Sequence, residues 1–221
     1  NFGVWGGKPY VPQNYDGYFR GPGTLRHALA QSLNVPAVKT LVYLAGIEDS
    51  VRQAEKLGIT TLNQPSYYGP SLVLGGGEVT LEDMVGAFSV FANRGLKHPT
   101  HYVSRIEDKE GKVIYDFQSD PKRVLSSRSA DMIYSVLSDN QARAPMFGAN
   151  SPLYVDDKTG VKTGTTQYYN DAWTIGFNRD IAAGVWCGNN DNSSTAQQPG
   201  VVIAGPIWHD FMVQAKEVLS D

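Results

Sequence analysis

The stretch KTGVKTGTTQYYNDAWTIGF, Lys158 to Phe177, decides how this chain is read. Lys-Thr-Gly occurs in it twice, four residues apart. A Lys on an edge strand, then a small hydroxyl residue, then Gly, makes one wall of a carboxylate-binding cleft. The ammonium supplies charge, the hydroxyl supplies a donor, and Gly lets an extended ligand lie alongside as a mock strand. Context separates the copies. Lys158 follows Asp156-Asp157, a pair that reads as a solvated turn at the entrance to a strand. Lys162 follows Val161, leads into Thr165-Thr166, and precedes the strand pattern DAWTIGF. Lys162-Thr163-Gly164 is the stronger copy.

Working outward, DAWTIGFN and DIAAGVWCGN continue as two further strands with a tight turn near Asn178-Arg179-Asp180. AGPIWHDFMVQAKEVL closes the chain as a helix, with Pro206 expected in its first turn. Upstream, HYVSRIEDKEGKVIYDF predicts a hairpin turning at Glu110-Gly111, and SSRSADMIYSVLSDN an amphipathic helix. The first 23 residues carry six Gly and three Pro among many aromatic rings, which predicts a loop pinned by its rings. TLRHALAQSL places Leu25, Ala28, Leu29 and Leu33 at helical spacing behind a Thr24 N-cap. Pro36 breaks or restarts that helix, and PAVKTLVYLAG runs on to a Gly46 stop. EDSVRQAEKLGI predicts a helix ended by Gly58. In GGGEVTLEDMVGAFSVFANRG, Thr80 and Asp83 form a capping box and Gly95 the stop. Helices followed by antiparallel strands and a closing helix give an α+β class, a sheet flanked by helices with a helical subdomain.

Composition narrows function by exclusion. The 221 residues balance 19 Lys and Arg against 22 Asp and Glu, a net charge of −3, with no massed basic patch. This disfavours a nucleic-acid partner. No run of eighteen apolar residues exists, so no membrane segment is read in this chain. The single Cys187 excludes an internal disulfide and a multi-cysteine metal site. His98 and His101 lack a third ligand nearby, so no metal and no cofactor is expected. GGGE at Gly75–Glu78 lacks the third Gly and the strand-helix-strand surroundings of a dinucleotide loop.

VKTGTTQYYNDAWTIGF resembles the third motif and following strand of the penicillin-binding protein transpeptidases, within the serine penicillin-recognising enzymes. FRGPGTLRHALAQSLNVPAVKTL resembles the segment carrying that family's second motif, Ser-x-Asn, here Ser32-Leu33-Asn34. LGGGEVTLEDMVGAFSVFANRG and AGPIWHDFM resemble its EVT-to-FANGG helix and its closing helix, particularly in the bifunctional, class A members. On three letters alone, Ser32 and Asn34 read more readily as caps at a helix boundary, and the surrounding resemblance reverses that preference. Two decoys compete. Ser138-Asp139-Asn140 matches the second motif, and Ser119-Asp120-Pro121-Lys122 matches the nucleophile motif Ser-x-x-Lys. A nucleophile motif must open a buried helix so that Lys, one turn on, reaches the Ser. Ser119 instead follows a hairpin among charged residues, and Ser138 ends an amphipathic helix.

No other Ser-x-x-Lys occurs in the sequence. The resemblance places that motif upstream of Asn1, so the chain reads as the C-terminal part of one transpeptidase domain. Residues 1–100 would form its loop and mainly helical part. Residues 101–221 would form hairpin, helix, cleft-strand sheet and closing helix. The isolated chain is then expected to be inactive, with the upstream part as its partner. For the intact protein the resemblance implies a D,D-transpeptidase on the outer face of the bacterial cytoplasmic membrane. It would cross-link peptidoglycan stem peptides ending in D-Ala-D-Ala through an acyl-serine and bind β-lactams. In that scheme Ser32 relays the proton, held by Lys162, and Asn34 holds the substrate's peptide amide. Thr163 and Thr165 take the terminal carboxylate beside Gly164, and the Thr165 N–H is one oxyanion donor. The alternatives are a D,D-carboxypeptidase or β-lactamase relative, or a non-catalytic penicillin- or stem-peptide-binding sensor.

Overall fold

The architecture is α+β, and the computed structural model describes residues 1–195 and 198–220. Three strands form the central sheet: β7 (Gly160–Thr165), β8 (Asp171–Phe177) and β9 (Ala182–Gly188), antiparallel in the order β7-β8-β9. Three two-stranded ladders accompany it. They are β1 (Val4–Trp5) with β2 (Lys8–Pro9), β3 (Leu96–Lys97) with β6 (Lys122–Arg123), and β4 (Arg105–Glu107) with β5 (Val113–Asp116). The helices are α1 (Leu25–Ala30), α2 (Asn34–Thr40), α3 (Ile47–Leu57), α4 (Leu81–Ala92), α5 (Ser127–Leu137), α6 (Asn140–Phe147) and α7 (Gly200–Ser220).

Strand alternation divides the sheet between two helical layers. Ala172, Thr174 and Gly176 face α7, where Trp208 is fully buried with Leu153, Val161 and Met212. A β-carbon at Gly176 would lie 2.2 Å from the Trp208 ring and 2.6 Å from the Gly160 carbonyl, so only Gly admits the indole. Ile175 and Phe177 face the other way. Phe177 is completely buried against Phe88 and Phe91 of α4 and Tyr134 of α5, with edge or tilted ring contacts. A separate cluster of Val51, Ile59, Leu62 and Ala87 holds α3 against α4.

Most predicted elements appear, with physically informative departures. Helix α1 stops at Ala30 rather than running to Leu33, and Ser32 bends the chain with φ 58°. The segment through Gly46 is helical, but its last turn, Leu41–Ala45, widens so that the Gly46 N–H reaches the Leu41 carbonyl at 2.7 Å. Thr80 caps α4 by accepting from the Asp83 N–H, yet Asp83 does not complete the box. Its carboxylate takes the Thr60 N–H at 2.8 Å and hydroxyl at 2.7 Å, tying the loop after α3 to α4. Helix α4 ends at Ala92, with Arg94 and Gly95 both left-handed beyond it. Pro206 does not sit in the first turn of the closing helix, because α7 begins at Gly200 and carries Pro206 within it. Helix α6 was not expected. Asp139 caps it, and Pro145 disguises a helical pattern to the reader of sequence.

Candidate active site

Ser32 and Lys162 lie 130 residues apart in sequence and meet directly. The Lys162 Nζ donates to the Ser32 Oγ at 2.6 Å and to the Thr163 carbonyl at 2.7 Å. Chain geometry explains the meeting from both sides. The α1 helix ends at Ala30, two residues before Ser32, and the left-handed backbone at Ser32 turns the chain into α2. That conformation is costly for a residue with a β-carbon, a form of strain that gathers at functional sites. From the sheet, Lys162 stands opposite Ile175 on the face turned away from α7. Its side chain is half-buried, and desolvation of the ammonium pushes its pKa down to about 8.

Asn34 is the first residue of α2, preceded by Leu33 as cap with no side-chain bond. It is therefore not a capping residue. Its Nδ2 donates to the Gln13 carbonyl at 2.8 Å. Sequence reading passed over Asn14, which is buried beside it. The Asn14 Oδ1 accepts from the Val35 N–H at 3.1 Å, and its Nδ2 donates to the Tyr18 carbonyl at 2.7 Å. The aromatic loop is thus fastened to the start of α2, and it helps hold the Ser32–Asn34 bend in place. Only the density of rings and turn residues around Asn14 marked this loop as ordered.

Along β7, the ladder fixes where the backbone groups point. The Thr166 N–H donates to the Asp171 carbonyl at 3.2 Å, continuing the register that pairs Lys162 with Ile175 and Gly164 with Trp173. In an antiparallel ladder, hydrogen-bonded and non-bonded pairs alternate. Thr163 and Thr165 therefore turn their amides to the open edge of β7, in agreement with the Lys162 ammonium on the Thr163 carbonyl. The Thr165 Oγ1 accepts from the Gly200 N–H at 2.9 Å and keeps its own proton to donate. Any side chain at position 164 would rise on the cleft face beside Trp173, where a β-carbon already stands 3.4 Å from the Trp173 Cβ.

All six predicted residues, Ser32, Asn34, Lys162, Thr163, Gly164 and Thr165, line one cavity of about 1910 Å³. The cavity runs from the sheet under α1 and α2 toward α4 and α5, and apolar side chains such as Leu41, Leu72, Met84 and Phe88 line its length. The decoys are engaged elsewhere. Ser138 donates to the Tyr134 carbonyl, Asp139 caps α6 and pairs with Arg26, and Asn140 ties α6 to Ala149. Ser119 lies outside any helix and shares a hydrogen bond with His98. His101 stacks on Phe117, and among the described residues no cluster able to hold a metal ion occurs. No helix among them is long and apolar enough to cross a membrane. Asp156 does more than shape a turn: it accepts from the Lys158 N–H and the Thr159 hydroxyl and pairs with Lys216.

The model of the penicillin binding protein transpeptidase domain matches residues 1–212. Penicillin-binding protein 2D of Bacillus subtilis is 36% identical over 215 residues, which is 95% of this chain and 30% of that protein. Penicillin-binding protein 1A of Aquifex aeolicus is 34% identical, over 93% of this chain and 27% of its own length. The chain thus spans about a third or less of these relatives. Among solved structures, penicillin-binding protein 1A of Haemophilus influenzae superposes with a TM-score of 0.81 at 23% identity, covering 96% of this chain and 37% of that one. An imipenem acyl-enzyme complex of penicillin-binding protein A from M. tuberculosis gives 0.71 at 19% identity, covering 92% and 51%. The family model and these relatives show that the chain belongs to the penicillin-binding protein transpeptidase family.

Proposed function

We propose that this chain supplies two of the three walls of a serine D,D-transpeptidase site in a longer protein that acts on the cell wall outside the cytoplasm. The observation that carries the reading is the 2.6 Å contact between Lys162 and Ser32 at the head of the cavity. The third wall would come from the upstream part of the protein, as a Ser-x-x-Lys helix seated in the apolar cavity.

The proposed chemistry is an acyl transfer in two steps, with the residue roles that the family resemblance implies. The upstream Ser attacks the penultimate D-Ala carbonyl of a stem peptide, and the oxyanion that forms is met by the Thr165 N–H at the open edge of β7. Ser32 relays a proton to the departing amine of the terminal D-Ala, its hydroxyl held by Lys162. Asn34 steadies the substrate's peptide amide, and Thr163 and Thr165 take its carboxylate. An amine of a second stem peptide then displaces the Ser, which closes the cross-link and frees the enzyme. A β-lactam enters the same site and stays on the Ser.

Acylation of the full-length protein by a labelled penicillin tests this reading. Ser32→Ala should slow acylation by about 100-fold or more, the scale of a lost proton relay. Ser138→Ala should leave it unchanged. Failure of the full-length protein to be labelled, or the opposite ranking of the two variants, refutes it.

A further inference from the structure

Beyond Thr165, the cleft contains a carboxylate to which the mechanism above gives no role. Asp171 opens β8 on the same face as Trp173, and Trp186 of β9 stands across from Trp173. All three line the cavity. The Asp171 Oδ1 accepts from the Trp186 Nε1 at 2.9 Å, and its Oδ2 accepts from the Thr166 hydroxyl at 2.8 Å. The Thr166 Oγ1 in turn takes the Asp171 N–H at 2.9 Å. This closed ring fixes the carboxylate with neutral donors only. Among the described residues no Lys, Arg or His forms an ion pair with it, unlike Asp16, Asp131, Asp139 and Asp156. Each carboxylate oxygen still has a lone pair to offer.

We propose that Asp171, flanked by the Trp173 and Trp186 rings, is the subsite that receives the ammonium group of the acceptor. The inference rests on the transpeptidase reading and assigns its second substrate a place. Position argues for it. Thr166, bonded to the carboxylate, directly follows Thr165, whose N–H faces the oxyanion, so Asp171 lies one residue along and one strand, about 5 Å, inward from that amide. Chemistry argues for it too. The acceptor is the cationic participant of the reaction, and an ammonium is drawn to a fixed carboxylate. The ammonium first gives one proton to solvent. The amine nitrogen then bonds to the acyl carbon, the C–Oγ bond breaks, and the second proton, released by the amine on amide formation, ends on the Ser oxygen. Asp171 binds and positions the acceptor, and it takes no part in bond making.

The test measures partition of the acyl-enzyme between aminolysis and hydrolysis in the full-length protein, with a thiolester donor and glycinamide as the amine probe. In Asp171→Asn the amide can keep both ring contacts, with Oδ1 for Trp186 and Nδ2 for the Thr166 oxygen, so the change removes charge alone. The aminolysis-to-hydrolysis ratio should fall about tenfold through a raised KM for the amine. Asp171→Glu should recover part of the loss. Added salt should lower the ratio in the wild type and leave Asp171→Asn unmoved, a response that a merely structural role would not give. An unchanged ratio in Asp171→Asn, with aminolysis present in the wild type, overturns the subsite and leaves the transpeptidase reading intact. Absence of aminolysis in the wild type overturns both.

Discussion

Raising the pH from about 8 to 10.5 should stabilise this fold through Lys162. Burial lowers the pKa of its ammonium from 10.5 to about 8, with desolvation as the cause. Within that window the unfolded chain holds the proton and the folded chain has released it. The unfolded state binds more protons, so stability climbs with pH at about 1.4 kcal/mol per unit. Integrated over the window, the gain is about 3 kcal/mol; below pH 8 the folded state carries this cost in full. Other Lys and Tyr groups titrate in the same range, so the quantity to measure is a difference. Urea midpoints of the wild type and Lys162→Met at pH 7.5, 9 and 10.5 supply it. The Met variant should be the more stable at pH 7.5, and its advantage should shrink by up to about 3 kcal/mol by pH 10.5. A difference that stays flat across the three values would refute a buried, depressed Lys162. The same titration bears on function. If a neutral Lys162 amine is the form that accepts protons through Ser32, acylation should rise with pH toward a plateau above about 8.

Three further perturbations probe the supporting structure. Ser32→Gly should be more stable than Ser32→Ala by about 1 kcal/mol in denaturant unfolding, since both lose the hydroxyl and only Gly relieves the left-handed strain at φ 58°; the reverse order would remove strain from the account. Gly176→Ala should cost about 2–4 kcal/mol by thermal unfolding, because its β-carbon meets the Trp208 ring at 2.2 Å and the Gly160 backbone at 2.6 Å. Asp139→Ala should cost about 1 kcal/mol, through the lost cap on the Ala142 N–H and the pair with Arg26, while labelled-penicillin acylation of the full-length protein persists.

What the sequence disclosed and what it hid have separate physical causes. Periodicity and punctuation are local, so α3 with its Gly58 stop, α4 behind Thr80 and the β8–β9 turn at Asn178 were all readable. The choice between the two Lys-Thr-Gly copies was readable for the same reason, because strand context differs on either side of Gly160. Helix α6 escaped, since Pro145 within an eight-residue segment masks a helix that depends on its Asp139 cap and on Arg143. That buried guanidinium bonds to the Leu137 and Leu153 carbonyls. Where α7 begins also escaped, because its first turns are fixed by packing of Gly200 over β7 and β8, with a β-carbon excluded by the Gly164 and Trp173 carbonyls at 2.5 and 2.7 Å.

The site itself was legible only as residue types, and the reason lies in its construction. A Ser-Leu-Asn triplet between two short helices is ordinary capping vocabulary, and nothing in it announces that Ser32 leaves helical geometry altogether. The bend needs an outside hold, and Asn14 supplies part of it through the Val35 N–H, from a loop with no regular pattern of its own. Lys162 arrives by a different route, carried on an edge strand whose position depends on Phe177 and Trp208 filling opposite faces of the sheet. The 2.6 Å contact is thus the meeting point of three independent foundations: loop, helix pair and sheet. A defect in any one should loosen it without touching Ser32 or Lys162. Asn14→Ala, far from the sheet, is therefore expected to slow β-lactam acylation of the full-length protein while leaving the sheet's amide-exchange protection unchanged. If instead protection across β7–β9 collapsed with it, the foundations would be one cooperative unit and the site's precision would rest on global stability alone.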